Sequence, residues 1–531
     1  MSRYLPCVPP DGVVLTLIRV ALFVSILIPD CAFAIDRFPP ASEPEDLPVF
    51  ATLEPQPVPP APLGVVVDEL SQPELVIPPP EEHNLLEEIQ KLQDRLKKLE
   101  GGEKKGSGDS KKSEYPNAKI TGFTQLDGAL YDQSEVNKAT VGNAQNGFGF
   151  RRARVAVYGN VAAQTKYQVE MDFATAGRPS FFDTYIEQEN LPYVGAARVG
   201  QYCQPFSIDA LTGFRNLTFL ERSLPFLAFV PFRRLGGQVA NQSEDEMSQW
   251  AFSVFRTGGY RNAPLGDNRY GVDIGDIGGI SFSTRATHLV HYLEGTNDCS
   301  LWAVGGSYNF SVLGADNADG STTKRPFYQT RVLPEFGPLG YSEEAQPFGQ
   351  AYAMTPSFID SGRYPANNFQ IFGLETVWQN GPWGAQAEWM GTVVDSIVGN
   401  IFYHGAYGQI AYRLTGEHRE YNKKNGTLGR LVPYHNFYSL KGGGIQGWGA
   451  WEVAGRLSYV DIRNPSSLNG LYLNNTSNKG TGTLVDTTLG LTWFINTHTK
   501  IQGNWIHAML NNVDTGRSTA NLFVTRFQVD F

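Results

Sequence analysis

The stretch Asn521-Leu522-Phe523-Val524-Thr525-Arg526-Phe527-Gln528-Val529-Asp530-Phe531 alternates residue by residue. Phe523, Thr525, Phe527, Val529 and Phe531 share one face, and Val524, Arg526, Gln528 and Asp530 share the other. Side chains on a β-strand repeat every two residues, so this is a strand with one oily and one mostly polar face. The pattern recurs upstream. Tyr167, Val169, Met171 and Phe173 alternate with Lys166, Gln168, Glu170 and Asp172; Trp451, Val453, Leu457 and Tyr459 with Glu452, Arg456 and Ser458. Val485, Leu489, Leu491 and Trp493 alternate with Asp486, Thr488 and Thr492, and Ala385, Ala387 and Trp389 with Gln386 and Glu388.

A soluble sandwich could place the ionisable faces in water. Here, however, the apolar face repeats over more than 400 residues with no helical layer to cover it. Lipid is the simplest cover, and closing the sheet removes the edges that lipid would punish. The expected fold is all-β, an antiparallel transmembrane β-barrel of about 16 strands over residues 118–531, counted at the ~10-residue spacing of such barrels. Composition agrees. Gly (56), Phe (32), Tyr (24) and Trp (9) are plentiful and charged residues are 18%. Mean hydropathy is −0.27, and no internal stretch approaches the ~20 apolar residues of a spanning helix.

The amino-terminal quarter reads differently. Arg3, an apolar run over Val13–Ile28 and Cys31-Ala32-Phe33-Ala34 describe an export signal over residues 1–34, cleaved after Ala34. Residues 35–80 are rich in Pro, Ala and acidic side chains and read as a disordered linker. In residues 81–100, Leu85, Ile89, Leu92, Leu96 and Leu99 form an a/d stripe. A helix that short is marginal alone, so it is expected to pair as a coiled coil between protomers, or to rest on the barrel or on itself. Residues 101–117 are a flexible Gly/Ser/Lys linker.

Net charge is −10, and most of the acidic excess lies ahead of the barrel: residues 1–117 hold 11 basic and 19 acidic side chains, residues 118–531 hold 32 and 34. A near-neutral body argues against nucleic-acid binding. After cleavage Cys203 and Cys299 remain, and their spacing demands no disulfide. No Cys/His cluster suggests a metal, and no cofactor is expected.

Connections differ in length. Val161–Lys166 and Asn190–Gly195 are short; Gln133–Gly147, Cys203–Leu235 and Arg419–Trp448 are long. Short turns at one end and long loops at the other match an outer-membrane barrel. With the amino terminus periplasmic, the loop after the fifth strand, about 204–234, lies on the outer side, and an even strand count returns the carboxyl terminus to the periplasm. A last strand of alternating aromatics that stops on Phe resembles the terminal strand of bacterial outer-membrane barrels. There the insertion machinery reads it, through residues in the places of Phe527, Val529 and Phe531.

Several segments go further. Phe150-Arg151-Arg152-Ala153-Arg154-Val155, Arg178-Pro179-Ser180-Phe181-Phe182-Asp183-Thr184-Tyr185-Ile186-Glu187, Arg198-Val199-Gly200-Gln201 and Leu217-Thr218-Phe219-Leu220-Glu221-Arg222-Ser223-Leu224-Pro225 resemble strands and a loop of the phosphate-selective porin O/P family. Leu414-Thr415-Gly416-Glu417-His418-Arg419 and Gly447-Trp448-Gly449-Ala450-Trp451-Glu452 are similar to its later segments. The resemblance implies a sixteen-stranded, usually trimeric barrel with a loop folded into each pore. Its better-known members prefer phosphate-like anions, drawn by arginines along the channel.

Guanidinium groups at a constriction replace an anion's lost hydration and can hold phosphate in two-point contact. The candidates are Arg152 and Arg154 on the second strand, placed on one face with Phe150 and Tyr158, and Arg215, Arg222, Arg233 and Arg234 in the loop. Arg151 points away by parity unless it sits at the outer rim. Glu170, Asp172, Asp183, Glu187 and Glu221 could neutralise these arginines. Glu244, Asp245 and Glu246 read as acidic groups of extracellular loops, and Cys203 stands where relatives often carry a basic residue. His418, between Glu417 and Arg419, reads as part of a salt-bridge cluster, and His288, His291 and His507 show no ligand spacing.

The expected function is passive diffusion of small hydrophilic solutes through the bacterial outer membrane, with a mild preference for phosphate-like anions. The expected partners are lipid, the solutes, two further copies of the chain, the barrel-insertion machinery and a cell-wall or periplasmic partner for the arm. The alternatives are a structural envelope tether working through the coiled coil and, from a third class, a barrel enzyme. The sequence shows no Gly-x-Ser-x-Gly or comparable constellation for the last.

Overall fold

The computed structural model describes residues 115–174, 180–257, 279–295, 299–314, 326–336, 356–438, 442, 444–472 and 480–531. The expected export signal, proline-rich linker and coiled coil, and nearly all of the expected Gly/Ser/Lys linker, lie outside these residues.

Sixteen long strands form the wall. They are β1 (Lys119–Gln133), β2 (Gly147–Ala162), β3 (Thr165–Asp172), β4 (Ser180–Leu191), β5 (Gly195–Cys203), β6 (Arg233–Gln242), β7 (Ser248–Arg256) and β8 (Ile280–Glu294). Then come β9 (Cys299–Val312), β10 (Tyr364–Asn380), β11 (Trp383–Ser396), β12 (Gly399–Arg413), β13 (Ala450–Asp461), β14 (Gly482–Asn496), β15 (Thr499–Asn512) and β16 (Gly516–Asp530). Each is antiparallel to the next, and β16 returns to β1 from Phe123↔Asp530 to Gln133↔Ala520, closing the barrel. No described helix is long and apolar enough to cross a membrane.

The alternation sorts side chains as expected. On β16, Phe523, Phe527, Val529 and Phe531 face outward and are exposed, while Val524, Arg526, Gln528 and Asp530 face the lumen and are buried. One end of the barrel, called terminal below, holds the start of β1 and the finish of β16; the other is distal. Connections at the terminal end are mostly tight, for example Pro382 before β11 and residues 497–498 between β14 and β15.

Two connections depart from the expected asymmetry. Residues 414–449, expected among the long loops of the outer end, leave β12 at the terminal end. They form a strap whose hairpin, Arg419–Asn422 with Thr427–Leu431, turns into the lumen. Glu244, Asp245 and Glu246 likewise sit in the short turn between β6 and β7 at the terminal end, not in a distal loop. Parity is the reason for the strap: β11 and β12 are joined by only Ile397-Val398, an apolar, β-branched turn that reads as continuous strand.

The distal loop between β5 and β6, L3 below, runs over residues 204–232. It is slightly shorter than the expected 204–234, because Arg233 and Arg234 already begin β6. L3 contains α2 (Ile208–Leu211) and α3 (Leu224–Phe229); α1 (Glu135–Val141) lies in the first distal loop. L3 is folded into the barrel and almost wholly buried. It seats where the wall has glycine in place of a side chain: Cβ atoms at Gly373, Gly405 and Gly490 would fall 3.1 Å from Phe206, Pro225 and Phe219. Above it, residues 326–336 and 356–363 of the loop after β9, L5 below, bring Tyr328, Val332, Leu333, Phe358 and Ile359 against α3 and the wall residues Met390, Val394, Val460, Leu484 and Leu522. The lumen is therefore filled on this side by a dry apolar core. Burial of that surface holds both loops inside, at roughly 25 cal/mol per Å² of apolar area removed from water.

Candidate functional site

The second strand carries the first surprise. The β1–β2 register shifts between Gln125 and Leu126, which pair with Arg152 and Phe150. This bulge leaves Arg151 as an extra residue and turns it inward, where its Nε meets Glu221 Oε1 at 3.0 Å. The expectation that Arg151 points away is thus corrected. Phe150 shares no face with Arg152; it pairs with outward-facing Leu126 and is exposed.

Four of the expected arginines gather around one ring. The guanidinium carbons of Arg152, Arg222, Arg154 and Arg233 lie 3.8, 3.9, 4.7 and 5.7 Å from the centre of Phe214 in L3. Cations over an aromatic face are drawn to its electron-rich centre, each contact worth ~0.5–2 kcal/mol. Phe214 thus offers the arginines an apolar platform that costs no counter-charge. Arg215 reaches the β1 wall, donating to Thr121 Oγ1 at 3.1 Å with Asp530 3.7 Å away. Arg234 stands apart, beside Phe255 and Gln329.

Carboxylates meet these arginines. Arg154 Nε donates to Asp172 Oδ2 at 2.7 Å, with Glu170 3.9 Å away. Arg233 grips Asp183 in two-point fashion, both contacts 2.9 Å, and Arg198 Nε donates to Glu187 at 2.7 Å. Glu221 is the busiest carboxylate, accepting from Arg151, Arg152 and Arg526. Burial alone would raise its pKa; the three guanidiniums more than reverse this and hold it well below the usual carboxylate range.

Arg222 differs. Its Nε and Nη2 donate to the carbonyls of Asp209, Ala210 and Thr212 at 2.7–3.1 Å, and its Nη1 has no partner. It forms none of the ion pairs found among the described residues. Burial lowers its pKa to about 10 although Asp209 pulls it back up, so it remains a cation at neutral pH. Between L3, the β4–β7 wall and the strap lies a cavity of about 470 Å³. Arg198, Arg222, Arg233, Arg285 and Lys424 line it, against Asp183, Glu187 and Glu189.

Further arginines complete the lumen: Arg456, expected on the polar face of its strand, Arg419, expected in a salt-bridge cluster with His418, and two not singled out above, Arg285 and Arg413. Arg285 pairs with Glu375, Arg413 and Arg419 with Glu452, and Arg456 with Glu335. The signal was available: each strand arginine falls on the polar phase of its alternation. Arg285 also holds the strap, donating to the carbonyls of Asn425 and Gly426 at 2.8 Å. Arg419 joins strap to L3 through the Asn216 carbonyl. Cys203 and Cys299 are not joined to each other: the Cys203 thiol donates to the Ala210 carbonyl at 3.4 Å, and Cys299 Sγ accepts from Gln379 Nε2 at 2.8 Å. Among the described residues no three His, Cys, Asp or Glu side chains converge as a metal site.

A barrel whose lumen holds arginines on an inward-folded loop is the architecture of a solute channel, and comparison with known proteins agrees. The family model described as phosphate-selective porin O and P matches residues 124–531. This chain belongs to that family. It is an outer-membrane porin. Porin O of Pseudomonas aeruginosa is 24% identical over 433 residues, 78% of this chain and 88% of that protein. Among solved structures, the outer membrane channel DcaP of Acinetobacter baumannii is 11% identical with a TM-score of 0.42, covering 80% of this chain and all of that one. An anion-selective porin from Comamonas acidovorans is 9% identical with a TM-score of 0.43, covering 78% and 99%.

Proposed function

We propose that this porin passes small hydrophilic solutes with a mild preference for phosphate-like anions, and that it works as a homotrimer. The observation that carries the anion preference is Arg222, a buried cation without a carboxylate partner on the wall of a cavity that holds more cationic than anionic side chains. The neighbouring arginines are bound to carboxylates, so the field is a bias and not a trap, as conduction requires. Arg222 and Arg233 are the solute-facing candidates; Arg152 and Arg154 act chiefly by setting the potential around Phe214. Catalysis has no part in this reading, and the arm over residues 36–112 is proposed to take a cell-wall or periplasmic partner.

The test is single-channel recording of the folded protein across a salt gradient. A reversal potential of anion sign, moved toward zero by Arg222→Ala, is expected. Cation preference would sink the anion reading, and correctly folded protein without conductance would sink the channel reading itself. Cross-linking of the outer-membrane form checks the trimer.

A further inference from the structure

Four side-chain oxygens at the contact of L5 with the wall have no hydrogen-bond partner among the described residues. Glu335, in L5, presents only Oε2 to donors: Arg456 Nε at 3.0 Å, Arg456 Nη2 at 2.5 Å and Thr488 Oγ1 at 2.6 Å. Its Oε1 is idle. Asp486 stands two residues before Thr488 on the same lumen face of β14, and neither of its carboxylate oxygens has a partner. Ser458, directly opposite Asp486 in the β13–β14 register, also has an idle hydroxyl. Glu335 is 1% exposed, and Asp486 and Ser458 are 0%.

Among the described residues the charges do not balance. Two carboxylates that repel each other share one guanidinium, which is already committed to Glu335. A buried charge without a partner is among the costliest arrangements in a folded chain, so something must neutralise it. A proton on one carboxyl satisfies at most two of the four oxygens. One cation takes lone pairs from all four. The donors are carboxylate and hydroxyl oxygens only, with neither His nor Cys, which suits a hard cation and not a transition metal. The excess of a single negative charge selects a monovalent one. Ser458 is the independent sign that this is more than an acidic pair: an uncharged, fully buried hydroxyl lies opposite Asp486 across the β13–β14 ladder and has no partner among the described residues.

We propose that Glu335, Asp486 and Ser458 hold a monovalent hard cation of the sodium type, which fastens L5 to the β13–β14 wall. The bound ion would keep the inward-folded part of L5 in the lumen. The test uses the full-length protein in its folded, detergent-solubilised form. Its thermal midpoint is compared in sodium chloride and in choline chloride, whose cation is too large for the site, at equal ionic strength. A saturable rise with sodium is expected, lost in Asp486→Asn and weakened in Ser458→Ala, which keeps the charge and is the fallback should D486N not fold. Crystals soaked in thallium(I) should show an anomalous peak among the three side chains. Equal midpoints in the two salts, with no thallium peak, overturn the proposal. So does a D486N variant more stable than the parent in both salts alike, which means a protonated acid. A response to calcium and none to sodium overturns the monovalent assignment.

Discussion

At Glu221 one carboxylate serves three guanidiniums, and its neighbours decide what its loss would do. Arg526 keeps Asp127, with contacts of 2.6 Å. Arg152 would keep only Gln125, and Arg151 no carboxylate among the described contacts. Glu221→Ala therefore leaves buried positive charge uncompensated. Breaking such a cluster typically costs ~3–5 kcal/mol, so the unfolding midpoint in detergent should fall clearly, while Glu221→Gln, which preserves shape and some hydrogen bonding, should cost less. The pH dependence follows from the same contacts. A carboxylate with a depressed pKa contributes stability that is fully present above its unfolded value, ~4.3 for Glu, and is lost as pH falls through the depressed folded value. The L3 clamp should thus hold unchanged through mildly acidic conditions and release in strong acid, seen as a rise in single-channel conductance. Release already at an ordinary carboxylate pH would mean that the guanidiniums do not hold Glu221 charged. Residue parity made most of this cluster legible in the sequence: Arg152, Arg154, Asp172 and Asp183 are found by counting in twos. Arg151 was not, because one bulged residue resets the count and a bulge has no mark in Phe150-Arg151-Arg152.

Of the elements that enter the lumen, L3 docks where the wall gives room. L3 lies against Gly490, where a Cβ would meet the Phe219 ring at 3.1 Å and Asn504 Oδ1 at the same distance. Gly490→Val should therefore push Phe219 off the wall and, with it, the Leu220–Glu221 segment that Arg526 holds. Larger conductance and weaker anion preference are expected in bilayer recordings, with the barrel still assembled; unchanged conductance would mean that L3 is held without this seat. The strap offers a separate handle at the terminal end. Replacing residues 419–431 by a short Gly/Ser link removes the Arg285 and Asn216 anchors together and should raise conductance while leaving the distal loops in place. Recordings of this variant and of Gly490→Val distinguish two constrictions in series from one. L3 was legible from its length, its arginines and its family resemblance. The strap was seen as a long connection but assigned to the wrong end, since Ile397-Val398 carries no Pro, Asn or Asp to announce a turn and only Gly399, at φ +101°, marks it. The docking glycines could not have been read at all: a glycine on a strand says that something comes close, not what does.

For the molecule as a whole, closure is the decisive event, and it rests on the contact between the first and last strands. β1 and β16 pair over eleven residues, and the ladder extends past the strand: Phe531 N donates to the Gly122 carbonyl at 3.0 Å and Gly122 N to the Phe531 carbonyl at 3.1 Å. Thr121 Oγ1 adds a hydrogen bond to the same carbonyl at 2.7 Å. The Phe531 ring lies over Gly122 so closely that a Cβ there would fall 2.6 Å from it. This makes one aromatic residue both a lipid-facing side chain and the clasp of the seam. An open barrel leaves two strand edges in lipid, where each unpaired backbone group costs several kcal/mol, so closure is nearly all-or-none and small losses at the clasp act on assembly more than on finished barrels. Phe531→Ala should reduce the amount of heat-modifiable, folded barrel recovered from outer membranes, while barrels that do close keep parental conductance and ion preference. Refolding of the purified chains into detergent, where no machinery is present, separates the two roles of Phe531. If the residue serves only as a signal to the insertion machinery, the Phe531→Ala chain refolds as well as the parent. If it clasps the seam, the refolded sample shows the same deficit as the outer membrane.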